Sequence, residues 1–215
     1  MSDPSSSISI NSSVTNSSTN PSESLLTPDQ IVDKIFAIYD TYGDSDYIGE
    51  EVSSVEHAVQ AAYCAIQSGI TEPSIIIGSL LHDIGHLLGL MEPTKYERMG
   101  HCGVMAHEGI GGAYLERLGL PAITCNIVRY HVNAKRYLVW KNPDYYTGLS
   151  EASKITLGYQ GGPMNDEEAK EFEIDPLFNT ILAMRRWDEA AKIKGLNVPN
   201  IHSYRDMIKN LIIKK

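Results

Sequence analysis

Ser79-Leu80-Leu81-His82-Asp83-Ile84-Gly85-His86 sets two metal-binding side chains next to each other inside an otherwise apolar run. Thr71-Glu72-Pro73 upstream is a helix start, so a helix is predicted over roughly residues 73–88. A carboxylate in apolar surroundings is costly unless it is paired or metal-bound. His57 before the run, and His107, His131 and Asp188 after it, complete a candidate ligand set of four His and two Asp. That set is enough for two metal ions. Imidazole and carboxylate suit Fe, Mn, Zn, Ni or Co, and the lack of thiolate argues against a structural zinc site. Asp83 is the natural bridge, because its two oxygens can serve two metals. This leaves two His for each metal and Asp188 as a terminal ligand.

The chain on either side of this run reads as helix after helix. Thr27-Pro28-Asp29-Gln30 is a capping box with Pro at the first helical position; it starts a helix that should reach Tyr42 and stop at Gly43. After a loop over 43–50, Ser53 and Glu56 form a second capping box and open a helix that carries His57 and ends before Gly69. A loop with Pro93, Gly100 and His101 precedes a predicted helix over 103–118 around His107. Pro121 starts the next helix, to about Trp140, which holds His131 and Lys135. Asn142-Pro143-Asp144 reads as a turn, and Ser150 caps a helix to about Tyr159. Gln160-Gly161-Gly162-Pro163-Met164 breaks the pattern, and Asn165 restarts it with an acidic first turn. Asp175-Pro176 should begin a long helix through Asp188 to Lys194, and Ser203 with Asp206 a last short one. No repeat, hairpin signal or long alternating strand is present, so the predicted fold class is all-α.

Composition narrows the rest. The 215 residues suit one domain, expected over 25–215, behind a Ser-rich stretch over 1–24 that is too polar to order itself. The formal net charge of −9 lacks the electrostatic footprint of a nucleic-acid binder. No apolar run reaches the length of a membrane span, and residues 1–24 carry no basic or apolar block of a targeting signal. Cys64, Cys102 and Cys125 show no paired spacing and read as reduced thiols, so a cytoplasmic location is expected. A monomer or weak homo-oligomer is expected.

The pattern His57…His82-Asp83…His107…His131…Asp188 resembles the HD-domain superfamily in its two-metal form. The finer resemblance, over roughly 28–195, is to the HD-domain mixed-valent diiron oxygenases of phosphonate breakdown, the PhnZ and TmpB group. It rests on Tyr47-Ile48-Gly49-Glu50, Glu56-His57-Ala58-Val59-Gln60, the run from His131 through Lys135 to Leu138, Gln160-Gly161-Gly162-Pro163-Met164, and Arg185-Arg186-Trp187-Asp188. The resemblance implies a single HD-domain helical bundle with two Fe ions in a mixed-valent Fe(II)/Fe(III) pair and O2 as co-substrate. The implied reaction is oxidative cleavage of the carbon–phosphorus bond of a 1-hydroxyalkylphosphonate, such as 2-amino-1-hydroxyethylphosphonate, to phosphate and a carboxylic acid (glycine in that case).

Residue chemistry agrees with an anionic substrate. Lys135 lies four residues after His131, and Arg185 three before Asp188, so each cation shares a helix face with a ligand. Ser153, Thr156 and Gln160 share a face and suit hydrogen bonds to phosphonate oxygens. His86, one turn beyond His82, reads as a hydrogen-bond donor behind the ligands or a substrate contact rather than as a ligand. The resemblance further implies a lid: Tyr47 covers an iron site until substrate displaces it, and Glu50 turns toward the substrate amino group, with Gly43 and Gly49 as hinges. The same ligands also suit two other readings, an HD phosphohydrolase acting on a nucleotide or phosphoester, and a metal-binding regulatory protein without turnover.

Overall fold

The computed structural model of the chain describes residues 26–47 and 49–212. The expected Ser-rich tail lies outside them. Within them the fold is all-α, with no strand and only two isolated bridges, Asp46 with Ser53 and Arg98 with Val104. The helices are α1 (Pro28–Tyr42), α2 (Ser54–Gln67), α3 (Pro73–Leu80), α4 (Ile84–Met91), α5 (His107–Arg117), α6 (Ala122–Lys141), α7 (Pro143–Thr147), α8 (Glu151–Tyr159), α9 (Asp166–Glu173), α10 (Phe178–Ala190) and α11 (Arg205–Leu211), with a 3-10 turn over Ile201–Tyr204. No single described helix is long and apolar enough to cross a membrane.

Locally coded ends form where they were predicted. Thr27 and Gln30 bond each other's backbone N–H groups at the start of α1, and Ser53 and Glu56 do so at the start of α2. Each box satisfies two N–H groups that a helix start would leave unpaired. Asn165 and Glu168 form a third such box at α9, and Ser150 caps α8 by accepting the Ser153 N–H alone. The apolar faces then collapse into one main core. Val32, Ile35 and Phe36 of α1 meet Ile77 and Leu80 of α3, Ile84 of α4, Leu115 of α5 and Val128 of α6. Side chains of this kind contribute roughly 1.5–3 kcal/mol each when fully buried.

Three expectations need correction, each for a physical reason. The helix predicted over 73–88 is two helices bent by 43°. His82 Nδ1 takes the Ser79 carbonyl at 2.8 Å, the acceptor that the Asp83 N–H would use in an unbroken helix. Residues 81–83 become a tight turn instead, closed by Ile84 N–H to Leu81 O at 3.0 Å and His86 N–H to Asp83 O at 2.9 Å. The helix predicted from 103 starts only at His107, because Ala106 is left-handed (φ 56°) and the segment before it pairs with residues 97–99. The helix expected to reach Lys194 stops at Ala190. His57 Nδ1 captures the Ala191 carbonyl at 2.9 Å, and the Gln60 amide bonds the Ile193 N–H at 3.0 Å and its carbonyl at 2.9 Å. Smaller departures are the short helix α7 where a turn was read, and the start of the last helix: Asn200 caps the 3-10 turn, which runs into α11 without a side-chain cap from Ser203.

Candidate metal centre

Helices α2, α3, α5, α6 and α10 surround the turn at His82-Asp83 and bring all six candidate ligands together. Asp83 Oδ2 lies 3.2 Å from His82 Nε2 and 3.7 Å from His57 Nε2. Its Oδ1 lies 3.3 Å from His107 Nε2 and 3.4 Å from His131 Nε2. Each carboxylate oxygen therefore faces its own His pair. Asp188 Oδ1 stands 3.4 Å from His57 Nε2, on the side of the first pair.

The two members of each pair also point their Nε2 atoms at one another, at 3.1 Å for His57 and His82 and 3.2 Å for His107 and His131. His57, His82 and His131 direct Nδ1 at the carbonyls of Ala191, Ser79 and Val128. A carbonyl only accepts, so Nδ1 carries the proton and Nε2 presents a lone pair. Lone pairs set face to face demand a cation between them, a proton or a metal ion. The same demand shows in the titration of His82: burial alone would lower it, but the Asp83 carboxylate carries it up to about 9. Neutral imidazoles and carboxylates in two buried groups sharing Asp83 fit two first-row metal ions.

His107 is the exception in its partner. Its Nδ1 lies 3.3 Å from Glu108 Oε2, and neither atom has an aligned hydrogen bond. Glu108 was missed in the sequence; its place next to a ligand in an acidic first turn was the available signal. His86 stacks on His107 with ring centroids 3.8 Å apart and comes close enough to Asp83 and His107 to form a ligand group with them. The Val104 N–H donates to its Nδ1 at 3.0 Å. Burial and the neighbouring His107 hold His86 well below the usual imidazole range, so the ring is neutral and its Nε2 bears the hydrogen. That makes it a donor rather than a ligand.

A cleft of about 510 Å³, mouth included, opens onto the cluster, lined by Tyr47, Glu50, His86, Lys135, Ser153, Thr156, Gln160, Arg185 and Lys192 among others. Ser153 and Thr156 turn inward: Lys135 Nζ donates to Thr156 Oγ1 at 2.8 Å, and an Arg185 terminal nitrogen lies 3.5 Å from Ser153 Oγ. Arg185 also donates to Asp188 Oδ2 at 2.5 Å, to Tyr145 Oη at 2.9 Å and to Glu189 Oε1 at 3.1 Å, which fixes the guanidinium plane. The Gln160 side-chain oxygen is buried without a partner. Tyr47 donates to Asp83 Oδ2 at 2.8 Å, and its ring stacks on His57 at 3.8 Å. Glu50 pairs with Lys192 at 2.6 Å. Lys192, Tyr145 and Glu189 were also missed; Lys192 lies four residues after Asp188, a spacing that could have flagged it.

Lys135 is held down to about 7 from its ordinary 10.5, chiefly by burial and then by the Arg185 guanidinium. A lysine whose folded value is lowered destabilises the fold in full below pH 7, and the penalty is relieved as pH rises toward the unfolded value. Lys135→Met is therefore expected to raise the melting temperature of the metal-free, ligand-free protein at pH 6–7, by a gain on the order of 1–3 kcal/mol. The gain should shrink toward pH 10, as thermal unfolding across that range would show. Unchanged or lower stability at pH 6 would contradict a buried charge at this position.

No family model matches the chain. It is 42% identical over 179 residues to uncharacterized protein L432 of Acanthamoeba polyphaga mimivirus, covering 83% of this chain and 80% of that protein. It is 40% identical over 197 residues to the glycine-betaine-forming 1-hydroxy-2-(trimethylamino)ethylphosphonate dioxygenase of Leisingera caerulea, covering 90% and 96%. It is 39% identical over 188 residues to the hydroxymethylphosphonate dioxygenase of Gimesia maris, covering 86% and 90%. With its His and Asp residues gathered into a metal-binding cluster inside an all-helical domain, the chain belongs to the family of HD-domain phosphonate dioxygenases.

Proposed function

We propose that this protein cleaves the carbon–phosphorus bond of a 1-hydroxyalkylphosphonate with O2, as in the conversion of 2-amino-1-hydroxyethylphosphonate to glycine and phosphate. The observation that carries the reading is the shared carboxylate, with each Asp83 oxygen facing one His pair beneath a cleft that holds Lys135 and Arg185. His57, His82, Asp83 and Asp188 would hold one iron ion, and Asp83, His107 and His131 the other. The ions supply Lewis acidity toward the substrate oxygens and the one-electron chemistry that O2 requires.

The chain's own residues bind and orient. A phosphonate is a dianion near neutral pH; Arg185 provides fixed positive charge for it, and the bound dianion would favour the protonated form of Lys135, which is held down to about 7 in its absence. Thr156, now bonded to Lys135, keeps that ammonium pointed into the cleft. Gln160 has an amide with an unmet oxygen, and rotating it offers N–H to a phosphonate oxygen. His86 lines the cleft and would offer its Nε2 hydrogen to a bound substrate. Tyr47 covers Asp83 in the resting state, so substrate entry must break that hydrogen bond.

The reaction balances without a further reductant: one hydroxyalkylphosphonate and one O2 give one carboxylic acid and one phosphate. Aerobic incubation of iron-loaded protein with 2-amino-1-hydroxyethylphosphonate or hydroxymethylphosphonate should release phosphate and the matching acid, glycine or formate, and consume O2 in equal amounts. Phosphate released only from phosphoesters, with no oxygen consumed, would instead make it a hydrolase. The partly oxidised protein should also give the EPR signal of an antiferromagnetically coupled Fe(II)/Fe(III) pair.

A further inference from the structure

An onium group on a ligand is recognised by a carboxylate and by the face of an aromatic ring. The mouth of this cleft has both, Glu50 and Tyr47, on the loop before α2. Both are already engaged by a cation of the chain itself. Lys192 Nζ lies 2.6 Å from Glu50 Oε1 and 5.8 Å from the centroid of the Tyr47 ring. Both partners of the ion pair are only 20% exposed, so solvent screens the pair weakly. The backbone on either side of Lys192 is fixed, at Ala191 by His57 and at Ile193 by Gln60. Other anions near the mouth do not offer an alternative: Asp188 and Glu189 are both taken by Arg185. A substrate ammonium would have to displace Lys192 or share one carboxylate with it, and two ammonium groups on one carboxylate repel. The similar proteins differ in this very group, one named for a trimethylamino substrate and the other for hydroxymethylphosphonate.

We propose that Lys192 is a specificity-determining residue, a built-in ammonium on Glu50 and the Tyr47 ring that makes the cleft favour 1-hydroxyalkylphosphonates with an uncharged C1 substituent over those with an amino or trimethylammonium group. This rests on the phosphonate reading of the site. Lys192→Met keeps most of the aliphatic stem and removes the charge, while Lys192→Arg keeps the charge. Wild-type protein should have a higher kcat/KM for hydroxymethylphosphonate than for 2-amino-1-hydroxyethylphosphonate. In Lys192→Met the ratio should move toward the amine by about tenfold or more, the scale of one charge-assisted contact, and Lys192→Arg should retain the wild-type ratio. A second readout needs no turnover: the Kd ratio of 2-aminoethylphosphonate to ethylphosphonate on anaerobic, iron-loaded protein should shift the same way. Wild-type preference for the amine, or unchanged ratios in Lys192→Met, would overturn the proposal. If no phosphonate is cleaved by any of these proteins, the functional reading fails, and the Kd ratio still decides for or against Lys192.

Discussion

Asp83→Ala is expected to yield protein that holds neither metal ion and has lost activity by at least about 1,000-fold, since on the proposed diiron reading the ions supply the whole of the redox chemistry. The expectation follows from the division of labour between the carboxylate oxygens. Oδ2 faces His57 and His82 at 3.7 and 3.2 Å, and Oδ1 faces His107 and His131 at 3.3 and 3.4 Å. Removing the carboxylate takes a ligand from both groups at once and leaves Asp188, already paired with Arg185, as the one carboxylate among the four imidazoles. Asp83→Asn separates this effect from misfolding, because it preserves the side-chain shape while removing the charge and replacing one acceptor oxygen with an amide donor. Iron content should fall from about two per chain to near zero in both variants, with an unchanged far-UV circular dichroism spectrum for the Asn variant. If Asp83→Asn retained two iron ions, the bridging role would be wrong.

Gly85→Ala should be nearly as damaging, through the backbone rather than through a ligand. A Cβ at this position would stand 2.0 Å from the His107 carbonyl oxygen and 2.7 Å from its carbonyl carbon. Those are main-chain atoms that no rotamer change can move, so the start of α4 and the start of α5 must separate. Forced separation of this kind costs roughly 2–4 kcal/mol, or a fall of about 5–15 °C in melting temperature for a chain of this size. It also draws His107 away from Asp83 Oδ1, so the second iron should be lost before the first. Gly109→Ala, in α5, is the control: nothing lies within 4 Å of its Cβ, and it should be neutral or slightly stabilising. Melting temperature and iron per chain together test this. A Gly85→Ala protein with two iron ions and normal stability would refute the close approach.

Much of this was written locally in the chain. Thr27 with Gln30 and Ser53 with Glu56 set helix starts through bonds that span three residues, so the sequence pattern and the structure coincide there. Lys135 and Arg185 were legible beside His131 and Asp188 because helical spacing of three or four is itself a local rule. The breaks were not legible in this way. The turn at His82-Asp83 exists because an imidazole takes a backbone carbonyl, and the end of α10 exists because His57 and Gln60 of α2 take the carbonyl and amide groups beyond it. Hydropathy carries no trace of either event.

The sequence by itself determined the ligand types, the all-helical class and the cations that share faces with ligands, because composition and short-range periodicity are properties of the chain before it folds. Only the tertiary structure decided which His faces which oxygen of Asp83, why Gly85 has no side chain, and that Glu50 is already paired with Lys192. Each of these is a contact between segments far apart in sequence, fixed by the packing of α2, α4, α5, α6 and α10 around one buried turn. The distances that make a metal centre out of six separate side chains come into being only when that packing closes.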